Sequence, residues 1–134
     1  ARSSPPEVLP AQARLRRRPE FTAVVRSGRR AGRPTMVLHY LPERPVTPTP
    51  GDAGTVGGPR AGFVVGRTVG NSVVRHRVTR RLRAVVLEQL DRLPETADLV
   101  VRARPEAAAA TSADLRRDLT AGLDRLLAVR ARTP

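Results

Sequence analysis

The spacing of hydrophobic residues along the chain predicts three helices. Apolar side chains recur three or four residues apart in residues 19–28, 70–90 and 111–129, which places them on one face of a helix. Residues able to cap a first turn stand at the start of the second and third segments: Asn71 or Ser72, and Thr111 or Ser112. Gly28 at the end of the first segment and Pro94 beyond the second each favour an end to the helix.

Short apolar runs predict strands at residues 35–41, 60–66 and 97–103. Alternation in the first run divides its side chains between the two faces of a sheet, with Met36, Leu38 and Tyr40 on one and Val37, His39 and Leu41 on the other. The order of the elements is helix, strands, helix, strand, helix. This order predicts a two-layer sandwich of the α+β or α/β class.

A length of 134 residues predicts one domain, which we place at residues 14–130. Residues 1–13 contain several prolines and no periodicity, so we expect a flexible N-terminal tail. Residues 42–59 hold five prolines and four glycines, a composition that excludes a core element. We expect this segment to be a mobile loop between two strands of the same domain.

Composition then narrows the function classes. The chain has no cysteine, which excludes disulfide scaffolds and thiolate chemistry within it. Its 25 basic residues are all arginine and give a net charge of +13. No apolar run is long enough to span a membrane, and the first residues lack the apolar centre of a signal peptide. We therefore expect a cytoplasmic protein with no membrane association.

Most of the excess charge lies in the middle of the sequence. Residues 21–90 hold twelve arginines and three acidic residues, and no acid occurs between Ala53 and Leu87. In the helix predicted at 70–90, valines and a leucine share one arc, and the opposite arc carries His76, Arg77, Arg80, Arg81 and Arg83. Arginines without acids three or four residues away repel one another, so the helix predicts a surface that binds a polyanion, above all nucleic acid.

The segment RAGFVVGRTVGNSVVRHRVTRRLR resembles the signature of the bacterial ribonuclease P protein subunit family. The matching residues are Arg67, Gly70, Asn71, Ser72, Val73, Arg75, Arg77, Arg80 and Arg83. His76 stands where the family has asparagine, and Thr79 where it usually has a basic residue. RLRRRPEFTAVVRSGRRAGRP is similar to the family's first helix and the turn into its sheet, and ADLVVRARP to its last strand.

The resemblance implies an α+β fold, a ribosomal-protein-like two-layer sandwich of order αβββαβα with a left-handed βαβ crossover. It also implies a protein subunit that binds the catalytic RNA of ribonuclease P and precursor tRNA, and so promotes endonucleolytic removal of the 5′ leader. The RNA and its Mg²⁺ ions would carry the chemistry. The protein would contribute no catalytic residue and no metal ligand, and no protein partner is implied.

The same resemblance assigns binding residues. Contacts to RNA would come from the basic helix and the turn before it, that is from Arg67, Asn71, Arg75, His76, Arg77, Arg80, Arg81 and Arg83. A cleft for the single-stranded leader would be lined by Phe21, Val25, Val37 and His39. Core packing explains Phe21 and Val37 equally well, His39 equally fits a strand-edge residue with its polar atoms satisfied, and His76 also fits an ordinary exposed residue.

Three other functions fit the charge less well. A ribosomal or other structural RNA-binding protein would share the charge and the fold without promoting cleavage, and it remains the main alternative. A DNA-binding regulator would need a helix-turn-helix, but a strand precedes the basic helix. A nuclease with its own catalytic site would need a cluster of carboxylates, which the sequence does not display.

Overall fold

The computed structural model describes residues 14–15, 18–43 and 58–131. The described residues contain three helices, α1 (Arg18–Ser27), α2 (Ser72–Gln89) and α3 (Ser112–Ala131). Four strands accompany them: β1 (Arg29–Gly32), β2 (Met36–Leu41), β3 (Arg60–Val64) and β4 (Asp98–Ala103). The expected tail at 1–13 and most of the expected loop at 42–59 lie outside the described residues.

The order αβββαβα is confirmed, and the strands form one mixed sheet in the order β1-β2-β4-β3. β2 pairs antiparallel with both β1 and β4, whereas β3 and β4 are parallel neighbours. Parallel neighbours need a crossover, and here the crossover contains α2. This connection places the start of α2 beside the carboxyl end of β3.

The larger core lies between one face of the sheet and helices α2 and α3. Met36, Leu38 and Tyr40 of β2 are fully buried there, as the alternation predicts. From α2 come Val78, Leu82, Val85 and Val86, and from α3 come Leu115, Leu119, Leu123 and Leu126. Because the apolar arc of α2 faces the sheet, its basic arc faces outward.

Helix α1 covers part of the opposite face of the sheet. Val24 packs there with Leu15 and Val100, and Phe21 packs against the same cluster. The ring of Phe21 lies directly over Gly62, where an added Cβ would stand 2.5 Å from the ring. A glycine at this position therefore lets α1 approach the sheet.

The caps and ends agree with the sequence. Asn71 Oδ1 accepts a hydrogen bond from Val74 N at 3.0 Å at the start of α2. Thr111 and Asp114 exchange side-chain and backbone hydrogen bonds at the start of α3. A Cβ on Gly70 would stand 2.8 Å from the side chain of Val74, so glycine permits the tight entry into α2.

Polar contacts join the layers. Buried Asp118 of α3 accepts hydrogen bonds from the backbone N–H of Thr35 at 3.0 Å and from its hydroxyl at 2.6 Å. Arg116 of α3 donates two hydrogen bonds to Glu88 of α2. No helix in the described part of the chain is long and apolar enough to cross a membrane.

Candidate RNA-binding surfaces

Helix α2 and the turn before it carry six arginines, which we call the α2 arginine face: Arg67, Arg75, Arg77, Arg80, Arg81 and Arg83. Within the described residues, Arg60, Arg92, Arg116 and Arg117 form ion pairs with carboxylates, whereas none of these six guanidinium groups does. No described carboxylate therefore neutralises the positive charge of the α2 arginine face. Such a surface attracts phosphate groups, and a nucleic acid that binds to it releases its own condensed counterions.

The arginines of this face differ in exposure. Arg67, in the turn, and Arg80, on the helix, are exposed to solvent, as is His76. Arg75 and Arg83 are half-buried. Asn71 is also exposed, but its Oδ1 atom is engaged in capping α2. Arg67 and Arg80 are therefore the arginines of the face that are most accessible to a ligand.

Two members of the face are held by backbone carbonyl groups. Arg77 Nη2 donates a hydrogen bond to the carbonyl of Ala108 at 3.2 Å, and Arg81 Nη1 donates to that of Ala110 at 2.9 Å. Both acceptors lie in or just after the 3-10 turn Pro105–Ala109, between β4 and α3. Arg77 and Arg81 therefore attach α2 to this turn, and each retains further N–H donors for a ligand.

Replacing both Arg77 and Arg81 by alanine is expected to lower the free energy of unfolding by about 2 kcal/mol, because two charge-assisted hydrogen bonds are lost. Urea unfolding measures this change. Arg80→Ala is the matched control, and exposed Arg80 should change stability by less than about 0.5 kcal/mol. If the double variant at Arg77 and Arg81 lost no more stability than Arg80→Ala, the hydrogen bonds to the two carbonyls would contribute nothing to stability.

The second candidate surface is the face of the sheet next to α1. The strand register places Val37 of β2, Arg102 of β4 and Val64 of β3 in one row across this face. Arg30 of β1 pairs with His39 in the neighbouring row. Val64 is 40% exposed and Arg102 and Arg30 are exposed, so these two neighbouring rows offer apolar and cationic contacts together.

The four residues assigned to the leader cleft occupy this face or its margin. Val25 of α1 is 47% exposed, and Phe21 is half-buried over Gly62. Val37 and His39 lie on the expected side of β2 but are each only 4% exposed. The structure thus brings the four residues to one face of the sheet and leaves Val25 as the most accessible of them.

Burial and charge act on His39. Its pKa lies below the ordinary value because the ring is buried and because the guanidinium groups of Arg102 and Arg30 disfavour a second cation nearby. Its Nε2 atom has no hydrogen-bond partner among the described residues. His39 is therefore a neutral, partly unsatisfied polar group beneath a cationic rim.

The free energy of unfolding is expected to fall as pH decreases from above 6.5 through the lowered pKa of His39, because the unfolded chain takes up this proton first. Denaturant unfolding at a series of pH values tests this. His39→Gln should flatten the dependence of the free energy of unfolding on pH, because glutamine does not titrate. An identical pH profile for His39→Gln and the unsubstituted chain would contradict the assignment.

Among the described residues, no three His, Asp or Glu side chains are grouped closely enough to hold a metal ion. The sequence does not indicate three further residues of the candidate surface beside α1, which are Val64, Arg30 and Arg102. Their exposure depends on strand register, which the sequence alone does not reveal.

Comparison with known proteins agrees with this geometry. A sequence profile of the family described as ribonuclease P matches residues 9–127. The ribonuclease P protein component of Corynebacterium diphtheriae is 49% identical over 119 residues, which cover 89% of this chain and 97% of that protein. The protein component of Streptomyces griseus is 50% identical over 125 residues, or 93% of this chain and 100% of that protein.

Solved structures share the fold. The RNase P protein of Staphylococcus aureus superposes with a TM-score of 0.68 at 19% identity and covers 84% of this chain and 93% of its own. That of Thermotoga maritima has a TM-score of 0.63 at 21% identity and covers 84% of this chain and 94% of its own. The fold expected from the sequence is therefore confirmed.

The fold and the unpaired arginine face define a basic α+β protein of the RNA-binding class. With the profile match and the relatives at nearly half identity, the chain belongs to the ribonuclease P protein family. It is the protein subunit of a ribonucleoprotein endoribonuclease that forms the 5′ ends of tRNAs, and the RNA subunit carries the chemistry. This confirms the predicted family and function over the structural RNA-binding alternative.

Proposed function

We propose that the α2 arginine face binds the catalytic RNA subunit and that the face of the sheet beside α1 binds the 5′ leader of precursor tRNA. The observation that carries the first assignment is the absence of a described carboxylate partner for any of the six arginines. The proposed contacts to the RNA subunit come from Arg67, Asn71, Arg75, His76, Arg77, Arg80, Arg81 and Arg83.

Within this interface the residues have different tasks. Arg67 and Arg80 are exposed and would contact phosphates directly. Arg77 and Arg81 would meet the RNA with guanidinium planes already fixed by the carbonyls of Ala108 and Ala110. A side chain that is ordered before binding loses less conformational entropy when it binds.

The leader would lie across the row that contains Val37, Arg102 and Val64. Val25 and Val64 offer exposed apolar contact to bases, and Arg30 and Arg102 offer charge to the leader phosphates. Phe21, Val37 and His39 would form the floor and wall of this cleft. Because contacts of this kind do not read base edges, we expect the protein to show a weak preference for the base sequence of the leader.

Catalysis would rest on Mg²⁺ ions held by the RNA subunit. A surface rich in guanidinium groups repels divalent cations, whereas RNA phosphates attract them. The protein would therefore act by positioning RNA and by neutralising phosphate charge, so that fewer metal ions are needed for assembly. Residues 14–130 would form a single RNA-binding domain that acts in the cytoplasm on precursor tRNA without another protein partner.

A reconstitution assay tests the function. The protein is mixed with a bacterial ribonuclease P RNA at low Mg²⁺, and removal of the 5′ leader from a precursor tRNA is followed. We expect a stimulation of about tenfold or more, equivalent to at least about 1.4 kcal/mol of barrier. A correctly folded protein that gives no stimulation with a cognate RNA would contradict the proposed function.

A further inference from the structure

The edge of the sheet formed by β1 carries a second group of arginines. β1 is the last strand on its side of the sheet, and β2 is its neighbour on the other side. Residues 26–33 hold four arginines and no acidic residue. Two of them, Arg29 and Arg33, lie on the same side of the sheet as α3, because Ala31 between them belongs to the core beneath that helix.

Helix α3 borders this edge and adds a third arginine. The stem of Arg33 lies against α3, since a Cβ added to Gly122 would stand 3.6 Å from Arg33 Cγ. Arg125 is exposed and follows Gly122 by three residues, which places it on the next turn of the same flank of α3. We call Arg29, Arg33 and Arg125 the β1 edge patch.

No described carboxylate forms an ion pair with an arginine of the β1 edge patch. Arg33 Nε is buried and has no hydrogen-bond partner among the described residues. Asp118, an acid on the same flank of α3, is itself buried and accepts two hydrogen bonds from Thr35. Charge on an edge strand also prevents pairing with another strand, but this does not explain Arg125, which lies on a helix.

Ion pairs separate this patch from the α2 arginine face. Helix α3 packs on β1 and β2, whereas α2 packs on β3 at the opposite edge of the sheet. Between the two surfaces, Arg116 of α3 pairs with Glu88 of α2. Asp124 of α3 pairs with Arg92, just beyond the end of α2. The unpaired positive charge is therefore divided between two surfaces, one on each side of these pairs.

The backbone of β1 adds hydrogen-bond donors to the patch. Arg33 N donates to the carbonyl of Met36 at 2.8 Å, so this residue pairs with β2. Because pairing alternates along an antiparallel strand, the N–H groups of Arg30 and Gly32 point away from β2. A Cβ added to Gly32 would meet no atom within 4 Å, so the edge is open there. Backbone N–H groups commonly contact the phosphates of nucleic acids.

Spacing and lining favour the backbone of a base-paired nucleic acid. Arg29 and Arg33 are about 13 Å apart along extended chain, which suits successive phosphates better than a single anion. The large apolar side chains exposed on the described residues are Val25, Val64 and Val73, and none belongs to this patch. A surface without a stacking platform suits a duplex, whose bases are already stacked inside it.

We propose that the β1 edge patch binds the phosphate backbone of a base-paired segment of the RNA subunit, separate from the segment bound by α2. The protein would thereby join two segments of one RNA. This second contact rests on the proposed function, because α2 must hold the same molecule. Each contact raises the effective concentration for the other, so together they bind more tightly than either alone. The proposed leader row lies on the opposite face of the sheet, so the leader is not the expected ligand.

Changing Arg29 and Arg125 together to glutamine tests this contact. Both side chains are exposed, so thermal unfolding should be unchanged. The affinity for the RNA subunit at 0.1 M salt should fall about tenfold or more, and the slope of log affinity against log salt should become shallower by about 2. The matched control changes Arg92 and Arg116, which pair with carboxylates, to glutamine. Equal effects of the two double variants would overturn the assignment.

Protection of the RNA subunit from hydroxyl radicals locates the contact. The double variant at Arg29 and Arg125 should lose protection of one base-paired segment. A second variant, with Arg67 and Arg80 changed to glutamine, should lose protection of a different segment. Loss of the same segment in both variants, or no loss at Arg29 and Arg125, would overturn the second contact. The proposed function would still stand if the variant at Arg67 and Arg80 weakened binding of the RNA subunit.

The affinity of the reconstituted holoenzyme for precursor tRNA identifies the source of the duplex. With saturating RNA subunit, the double variant at Arg29 and Arg125 should bind precursor tRNA, with or without its leader, as tightly as the unsubstituted protein does. A loss confined to precursor tRNA, with unchanged affinity for the RNA subunit, would contradict the assignment of the patch to the RNA subunit.

Discussion

Replacing Arg60 by methionine is expected to lower the free energy of unfolding by about 3 kcal/mol, because it removes the guanidinium group that donates two hydrogen bonds to the buried carboxylate of Asp98. Arg60 donates hydrogen bonds to Asp98 at 2.9 and 2.8 Å and to Glu20 at 2.8 Å. The side chain of Asp98 is only 3% exposed. These contacts raise the pKa of Arg60, chiefly through the hydrogen bond to Asp98.

The control for this substitution is Arg92→Met. Arg92 also pairs with a carboxylate, that of Asp124, but 61% of the Asp124 side chain is exposed. Exposed pairs contribute about 0–1 kcal/mol, so thermal unfolding should separate the two variants clearly. A loss for Arg60→Met no larger than that for Arg92→Met would contradict the assigned role of the buried pair.

Arg60 also joins the elements that form the proposed leader cleft. Arg60 joins the start of β3 to β4 through Asp98 and to α1 through Glu20. Helix α1 places Phe21 over Gly62 and Val25 at the margin of the sheet. A chain in which Arg60 and Asp98 are both apolar should regain stability, since well-packed apolar residues can replace a buried ion pair.

Helix α2 shows what the sequence could predict. The spacing predicts one buried arc that contains Val74, Val78, Leu82, Val85 and Val86. The last four are buried, and Val74, in the first turn, is half-buried. The sequence predicts a cap at Asn71 or Ser72, and Asn71 is the residue that caps the helix, because capping depends on residues three apart in sequence. Local spacing sets both the buried arc and the cap of α2, so the sequence of this one segment is enough to predict them.

Features that depend on distant residues could not be predicted. The carbonyls that hold Arg77 and Arg81 lie 31 and 29 residues further along the chain. The neighbours of His39 depend on strand register, which follows from packing of the whole sheet. Strand β1, with only four residues and two arginines, lacks an apolar alternation and was implied only by the family arrangement.

The dependence of RNA affinity on salt tests the central claim, that the α2 arginine face binds RNA phosphates. Arg67, Arg80 and Arg83 are changed together to glutamine, and the affinity for the ribonuclease P RNA is measured over a range of salt concentrations. The control changes Arg92, Arg116 and Arg117 to glutamine, which removes the same net charge from arginines that already pair with carboxylates.

If three phosphate contacts are lost, the slope of log affinity against log salt should become shallower by about 2 to 3. At 0.1 M salt the affinity should fall about 100-fold, while the control should change both quantities little. Equal slopes for the two triple variants would show that only net charge matters, and would contradict a specific RNA interface on α2.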